Sequence, residues 1–584
     1  MRKIFLFISL FLVVSALQAQ KEITLEDIWK NGTFRTMGVP GFNFLADGKH
    51  YAALEENRIV KYDLTTGELV EVILDARSIN DDYNIEAYEF AVDEKFIVLR
   101  SNTQRIYRRS YTAEYIIYDR STAQTIPVDD MNQVSYATLD PTGKKVAFVK
   151  DNNLYYQHLP SGVVLAVTED GEKNRIINGH TDWVYEEEFA FVKAFEWSTE
   201  GNHLAYIRFD ETEVPEFTMT LHHNQSYPVY ETFKYPKVGE TNSSVSVHIH
   251  HIKNGTTTTA DIGDLEDIYI PRIKWSANDD EVCIFKLNRH QNHLQIFRTD
   301  AQTGQSVIML NETSEYYIDI HDNLTFINDG SEFIWTSENN GFNHIYLFDT
   351  SGRQQAQVTQ GNWEVTNFYG YDPENKEVYY QSTEPGSTQR NIYSSTIDGR
   401  QKRHVAVDEG YNSAQFSSTF DYYVLNHSTI SQPPTYNVYD RQGSVIRPLE
   451  DNTQLAARKA EYGVAPVELL SIEVEDGVKL NAAMIKPPDF DPEKKYPLFM
   501  FLYGGPGSQE VMNRWNSFGN YWWFQMLAQK GYIIAVVDNR GTGGKGEEFK
   551  KMTYLTLGKY ETIDQINAAR YLGNMDFIDA DRIG

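Results

Sequence analysis

A β-propeller joined to an α/β unit with a mostly parallel sheet is the fold the sequence predicts, and three observations predict it. One strand-turn-strand unit recurs from about residue 45 to about residue 445; the pattern then changes to apolar strands alternating with amphipathic helices; and 584 residues exceed what one core holds.

The repeat is clearest at its second turn, which falls at residues 62–67, 118–122, 158–162, 251–255, 299–304, 348–352, 396–399 and 439–443. The last five of these eight turns are spaced by roughly 44 to 49 residues, the length of a four-stranded blade. Eight blades that bury their faces only against neighbours close into a ring; a β-sandwich or β-helix is the alternative. A gap of roughly 90 residues between Gly162 and Gly255 must hold an insertion. After Leu469, residues 496–503 and 532–538 read as strands, and 514–530 and 562–572 as helices, which together imply a mostly parallel sheet. A further strand is expected to begin near Asp581. The expected organisation is a leader at 1–20, a segment at 21–44 packing on the α/β unit, an eight-bladed propeller at 45–455 and the first part of the α/β unit at 456–584.

Composition narrows the function. A net charge of −29 argues against nucleic acid or an anionic membrane as the partner, since either needs a basic face. Met1-Arg2-Lys3, an apolar run from Ile4 to Ala16 and the small residue Ala19 read as a signal peptide, a retained anchor being the alternative. Cys283 is the sole cysteine, so no intrachain disulfide exists; export without disulfides points to a bacterial periplasm or exterior.

Two stretches carry chemistry. Asp182-Trp183-Val184-Tyr185-Glu186-Glu187-Glu188 lies inside the insertion. Three adjacent carboxylates read either as a solvated helix start or as a cation site that could hold a protonated amine. Tyr503-Gly504-Gly505-Pro506-Gly507-Ser508-Gln509 follows a strand, at the end of an α/β sheet where ligands bind. His248 and His250 alternate on one strand face but lack a third ligand at metal-binding spacing, so neither a metal nor a cofactor is expected.

With those motifs, together with Arg108-Arg109-Ser110-Tyr111-Thr112-Ala113, Thr212-Glu213-Val214-Pro215 and Tyr235-Pro236-Lys237-Val238-Gly239, the chain resembles the dipeptidyl peptidase IV branch of the prolyl oligopeptidase family from Leu25 to Arg582. The resemblance implies that the α/β unit is an incomplete α/β-hydrolase domain and that the protein is a serine exopeptidase, one that releases dipeptides with Pro or Ala second. Glu187 and Glu188 would grip the substrate's free α-amine, Arg108 would bind a substrate carbonyl, and Tyr503 would donate to the oxyanion. It also implies a homodimer joined through an arm at residues 216–241. A prolyl endopeptidase or acylaminoacyl peptidase of the same family, or a non-catalytic binding propeller, remain the alternatives. The family's nucleophile sits in a Gly-x-Ser-x-Gly elbow, a pentapeptide that residues 1–584 do not contain. Ser508 is not a substitute, because it belongs to the tyrosine loop. The elbow is expected just past Gly584, the triad Asp and His later still, and the 584 residues alone are expected to be inactive.

Overall fold

The computed structural model describes residues 21–584 except Pro40 and Pro160; the signal peptide expected at residues 1–20 lies outside the described residues.

Eight sheets follow one another along the chain, each an antiparallel up-and-down blade. The first runs Asn43–Phe44, His50–Glu55, Arg58–Asp63 and Leu69–Asp75, and the eighth Tyr411–Phe416, Tyr422–Ser428, Thr435–Asp440 and Val445–Glu450. All eight turns seen in the sequence join the third strand of a blade to the fourth. Asp at the turn start explains several of them: Asp63, Asp119, Asp300 and Asp349 each accept hydrogen bonds from residues two or three positions on. Central strands are apolar almost throughout, as in Lys145–Lys150, because both faces of each blade are covered by neighbours. The ring closes by packing rather than by strand exchange: Arg447 of the last blade donates to the Leu64 carbonyl (3.0 Å) and the Tyr51 hydroxyl (3.0 Å) of the first. Val424 and Val438 share an apolar cluster with Phe42 and Val60 across the same seam.

The fourth blade holds the insertion. Its first strand is broken, with Ile176–Asn178 and Phe195–Trp197 pairing along different halves of His203–Asp210. Between the halves the chain leaves the sheet and forms the helix Trp183–Glu188. A second excursion makes the hairpin Glu216–Leu221 and Val229–Lys234, which pairs with no blade.

The hydrolase part is a five-stranded sheet ordered Val467–Glu473, Lys479–Ile485, Ile533–Asp538, Tyr496–Phe501, Ile578–Ile583. Here the expectation of a mostly parallel sheet is corrected, for two of the four pairings are antiparallel. The opening hairpin 467–485 has no helix between its strands, so it escapes a reading that looks for β-α alternation. The sheet is buried on both faces. Ala483, Ile485, Ile534 and Val536 pack under the helix Tyr521–Gln529, while Ala482, Met484, Ala535 and Val537 pack under Lys559–Gly573. The first of these helices is shorter than the 514–530 expected. Asn516 (φ +50°) and Gly519 (φ +68°) turn the chain through the left-handed region, and Trp515 and Phe518 reach the core from a loop instead. The last strand begins at Ile578, earlier than expected. Ile23 and Phe34 of the N-terminal segment enter the same core, and Phe34 stacks on Trp522 at 3.9 Å.

Candidate active site

The helix Trp183–Glu188 is fixed before its acidic end is reached. Asp182 caps it, accepting from Tyr185 N (3.0 Å) and from Ser243 Oγ (2.6 Å). The buried Tyr185 hydroxyl accepts from Ile270 N of the fifth blade at 2.9 Å. The three glutamates then divide. Glu186, only 2% exposed, turns toward the second blade, and its Oε1 accepts from Arg109 N (2.7 Å) and Ser110 N (2.9 Å). Those two N–H groups sit at the tip of the hairpin between Phe96–Arg105 and Tyr111–Asp119, so a carboxylate of the fourth blade holds a turn of the second.

Arg108 stands on that tip and meets Glu187, with Nε 2.9 Å from Oε2 and 3.2 Å from Oε1. The Glu187 side chain is 19% exposed, while Glu188 is open to solvent. The arm hairpin packs on both walls of this group: the Tyr107 ring lies 5.8 Å from Phe233, and Trp183 lies 4.4 Å from Tyr235. What sequence reasoning missed is the separate role of Glu186. The signal was available, since three like charges side by side cannot all share one ligand without strong repulsion.

Tyr503 follows the strand Tyr496–Phe501 and is 70% exposed. Its loop is held by backbone. Gly507 N donates to Gly541 O (2.8 Å), Gly543 N to Ser508 O (2.8 Å), and Asn539 Nδ2 to Gly504 O (3.1 Å). Gly504 has φ +72°, and a Cβ on Gly505 would lie 2.8 Å from the Tyr503 ring, so both positions need glycine. Ser508 Oγ donates to Gly505 O at 2.7 Å, which makes it a brace of the loop. Beneath the loop, Asp538 accepts from Glu510 N (3.0 Å) and Val511 N (2.9 Å), and its burial pushes its pKa up to about 6. Arg540 and Asp564 form a buried bidentate pair behind it.

The structure thus brings Arg108 and Glu187 into contact, places Glu188 beside them, and puts Tyr503 on the hydrolase part with no hydrogen bond or ion pair to that group among the described residues. A cavity of about 680 Å³ separates propeller from hydrolase near the loop, lined among others by Glu364, Arg390, Gln509 and Gly544. His248 bonds Ser246 and Thr259, and His250 bonds Thr257, within their own blade. Among the described residues no helix is long and apolar enough to cross a membrane.

Comparison with known proteins agrees with this architecture. Residues 91–434 match the family described as the dipeptidyl peptidase IV N-terminal region, and residues 516–584 match the prolyl oligopeptidase family. A probable dipeptidyl peptidase 4 of Emericella nidulans is 32% identical over 556 residues, 91% of this chain and 71% of that protein. The dipeptidyl peptidase 4 of Trichophyton rubrum is 30% identical over 569 residues, 94% and 72% respectively. Among solved structures, Porphyromonas gingivalis dipeptidyl peptidase 4 superposes with a TM-score of 0.91 at 36% identity, covering 97% of this chain and 80% of that one. A putative dipeptidyl aminopeptidase IV from Bacteroides ovatus shares the fold at TM-score 0.78 and 24% identity, covering 94% and 78%. Matched along most of its length by fold, by family and by relatives, the chain belongs to the prolyl oligopeptidase family of serine peptidases, in its dipeptidyl peptidase IV branch.

Proposed function

We propose that the protein releases N-terminal dipeptides with Pro or Ala second from peptides, using Glu187 and Glu188 to hold the free α-amine, Arg108 to bind a substrate carbonyl and Tyr503 to donate to the oxyanion. The observation that carries this reading is the division of the glutamate run. Glu186 is consumed by two backbone N–H groups, and the next two carboxylates stand free of backbone, one against Arg108 and one in solvent. An α-amine, with a pKa of about 7.7 to 8.0, is mostly cationic at neutral pH and forms charge-assisted hydrogen bonds with such a pair. An endopeptidase or acylaminoacyl peptidase has no use for an amine clamp.

In this reading the nucleophilic serine and its Asp and His form no part of residues 1–584, so activity is expected of a gene product that carries them as well. That product should cleave Gly-Pro anilide and leave acetyl-Gly-Pro anilide nearly untouched. Equal rates on the two would overturn the exopeptidase reading. The same proposal makes the protein an exported homodimer joined through the arm, whose Phe217, Met219, Val229 and Tyr230 are exposed apolar side chains on a hairpin that pairs with no blade among the described residues. Light scattering at micromolar concentration should report a dimer; a monomer would remove this part.

A further inference from the structure

The Tyr503 loop is tied to the propeller as well as to its own sheet. Gln509 closes the loop. Its Nε2 donates to Ser387 O (2.8 Å), and its Oε1 accepts from Arg390 Nη2 (2.5 Å). Arg390 immediately precedes the third strand of the seventh blade, Asn391–Thr396, and is 6% exposed. Its other guanidinium donors go to the Ser387 and Gln389 carbonyls at 3.0 and 2.8 Å, and among the described residues it makes no ion pair with a carboxylate. Burying the guanidinium costs stability, which the charge of Glu364 offsets only in part. Here Nη2 serves the Gln509 junction and Nη1 the turn that presents it.

Glu364 works from the same blade. It directly precedes the first strand, Val365–Asp372, and accepts from Gly544 N on one oxygen and Gly546 N on the other, both at 3.0 Å. The segment it holds is the one zipped to the tyrosine loop through Gly507–Gly541 and Ser508–Gly543. A Cβ on Gly544 would lie 2.8 Å from Gln509 Oε1, so the two segments touch. One propeller blade therefore grips both the Tyr503 loop and the segment zipped to it.

We propose that Arg390 and Glu364 are positioning residues that set the Tyr503 hydroxyl relative to the propeller, and hence to the amine clamp. This rests on the reading of Tyr503 as oxyanion donor. A bound dipeptide spans the two domains, so a shift of the loop by an ångström leaves amine binding intact and misaims the donor, an error that costs up to about 100-fold in rate.

The test uses the full-length gene product and Gly-Pro anilide. Arg390→Met should lower kcat about tenfold or more, with KM changed by less than about threefold. Arg390→Lys, which keeps a donor, should recover most of kcat. In a Tyr503→Phe background, Arg390→Met should cost less than about twofold further, because its effect passes through the missing hydroxyl. An equal loss in both backgrounds, or a fall in sites titrated by a fluorophosphonate with unchanged turnover per site, marks a merely structural role and overturns the proposal. Should Arg390→Met not fold, Glu364→Gln, which leaves an acceptor for only one of the two glycine N–H groups, is expected to show the same selective loss in kcat, and full activity there overturns the proposal. Tyr503→Phe crippled beside a fully active Arg390→Met defeats positioning alone. Tyr503→Phe at full activity defeats the oxyanion reading, and positioning with it.

Discussion

The candidate clamp and the tyrosine loop present their side chains differently. The clamp hangs on side-chain carboxylates: Asp182 caps its helix, Glu186 binds two N–H groups of another blade, and Glu187 meets Arg108. The tyrosine loop is zipped by backbone bonds between glycine-rich segments and tied at its end by Gln509 and Asp538, and the Tyr503 side chain is 70% exposed. A charged group held rigidly binds a cation in the ground state, whereas an exposed hydroxyl contributes when negative charge develops beside it. Substitutions in the two regions should therefore separate into binding and turnover.

The largest effect tests the loop. Tyr503→Phe should lower kcat by about 10²- to 10³-fold with KM little changed, as loss of one oxyanion donor does. Steady-state kinetics on Gly-Pro anilide would show it, and a change confined to KM would place Tyr503 in binding instead. Next comes the clamp. Glu187→Ala or Glu188→Ala removes a charged hydrogen bond of about 1.5 to 3 kcal/mol, roughly ten- to a hundredfold in kcat/KM. The residual rate on an acetylated substrate should not change, because no ammonium is present to lose its partner.

A smaller effect separates Glu186 from its neighbours. Glu186→Gln keeps an oxygen for both N–H groups and should cost only a few-fold in kcat/KM, whereas Glu186→Ala leaves two N–H groups without an acceptor, at about 1 to 3 kcal/mol each, and should lower the melting temperature as well. If Gln were as damaging as Ala on the free-amine substrate alone, Glu186 would itself be gripping the amine.

The two regions also differ in how much of them the sequence discloses. The candidate clamp lies in two short stretches: the acidic run at 182–188 reads as a solvated helix start or a cation site, and 108–113 is picked out by the family resemblance alone, while the eight turns count the blades because each needs its own Asp, Asn or Gly at a fixed place. The supports of the tyrosine loop are another matter. Glu364 and Arg390 lie 180 and 119 residues from the groups they bind, in blade connections whose local sequence is ordinary. Only the closed ring brings them to the loop. The mixed sheet was hidden for a related reason: the strands Val467–Glu473 and Lys479–Ile485 follow one another with only a short turn and no α-helix between them, so a reading of β-α alternation cannot give their direction. The helix at 514–530 was overread because Trp515 and Phe518 fall at helical spacing while Asn516 and Gly519 bend the chain.

The smallest expected effect concerns a buried acid in each region. Asp538 under the loop and Glu211 behind the clamp both have raised pKa values, about 6 and about 7, with burial the main cause; Asp182's charge adds to it for Glu211 and Lys234 opposes it. They differ in partners. Asp538 accepts two backbone N–H groups, so Asp538→Asn would disturb the loop as well as the titration. Glu211 is 6% exposed, lines a cavity of about 310 Å³ with Asp182 and Glu186, and its carboxylate accepts no hydrogen bond from a described residue. The folded protein keeps the Glu211 proton up to about pH 7, while the unfolded chain releases it near the ordinary value of 4.5. Folding therefore takes up a proton between those pH values, and the contribution of Glu211 to stability falls as pH rises through them and stays low above. Glu211→Gln is neutral at every pH and removes this slope. Its melting temperature should match the parent near pH 4.5 and exceed it by a few degrees at pH 8, with the clamp's preference for free over acetylated substrate unchanged. Parallel melting curves for the two proteins across that range would show that the carboxylate is ionised in the fold, and that the space behind the clamp is wetter than its burial implies.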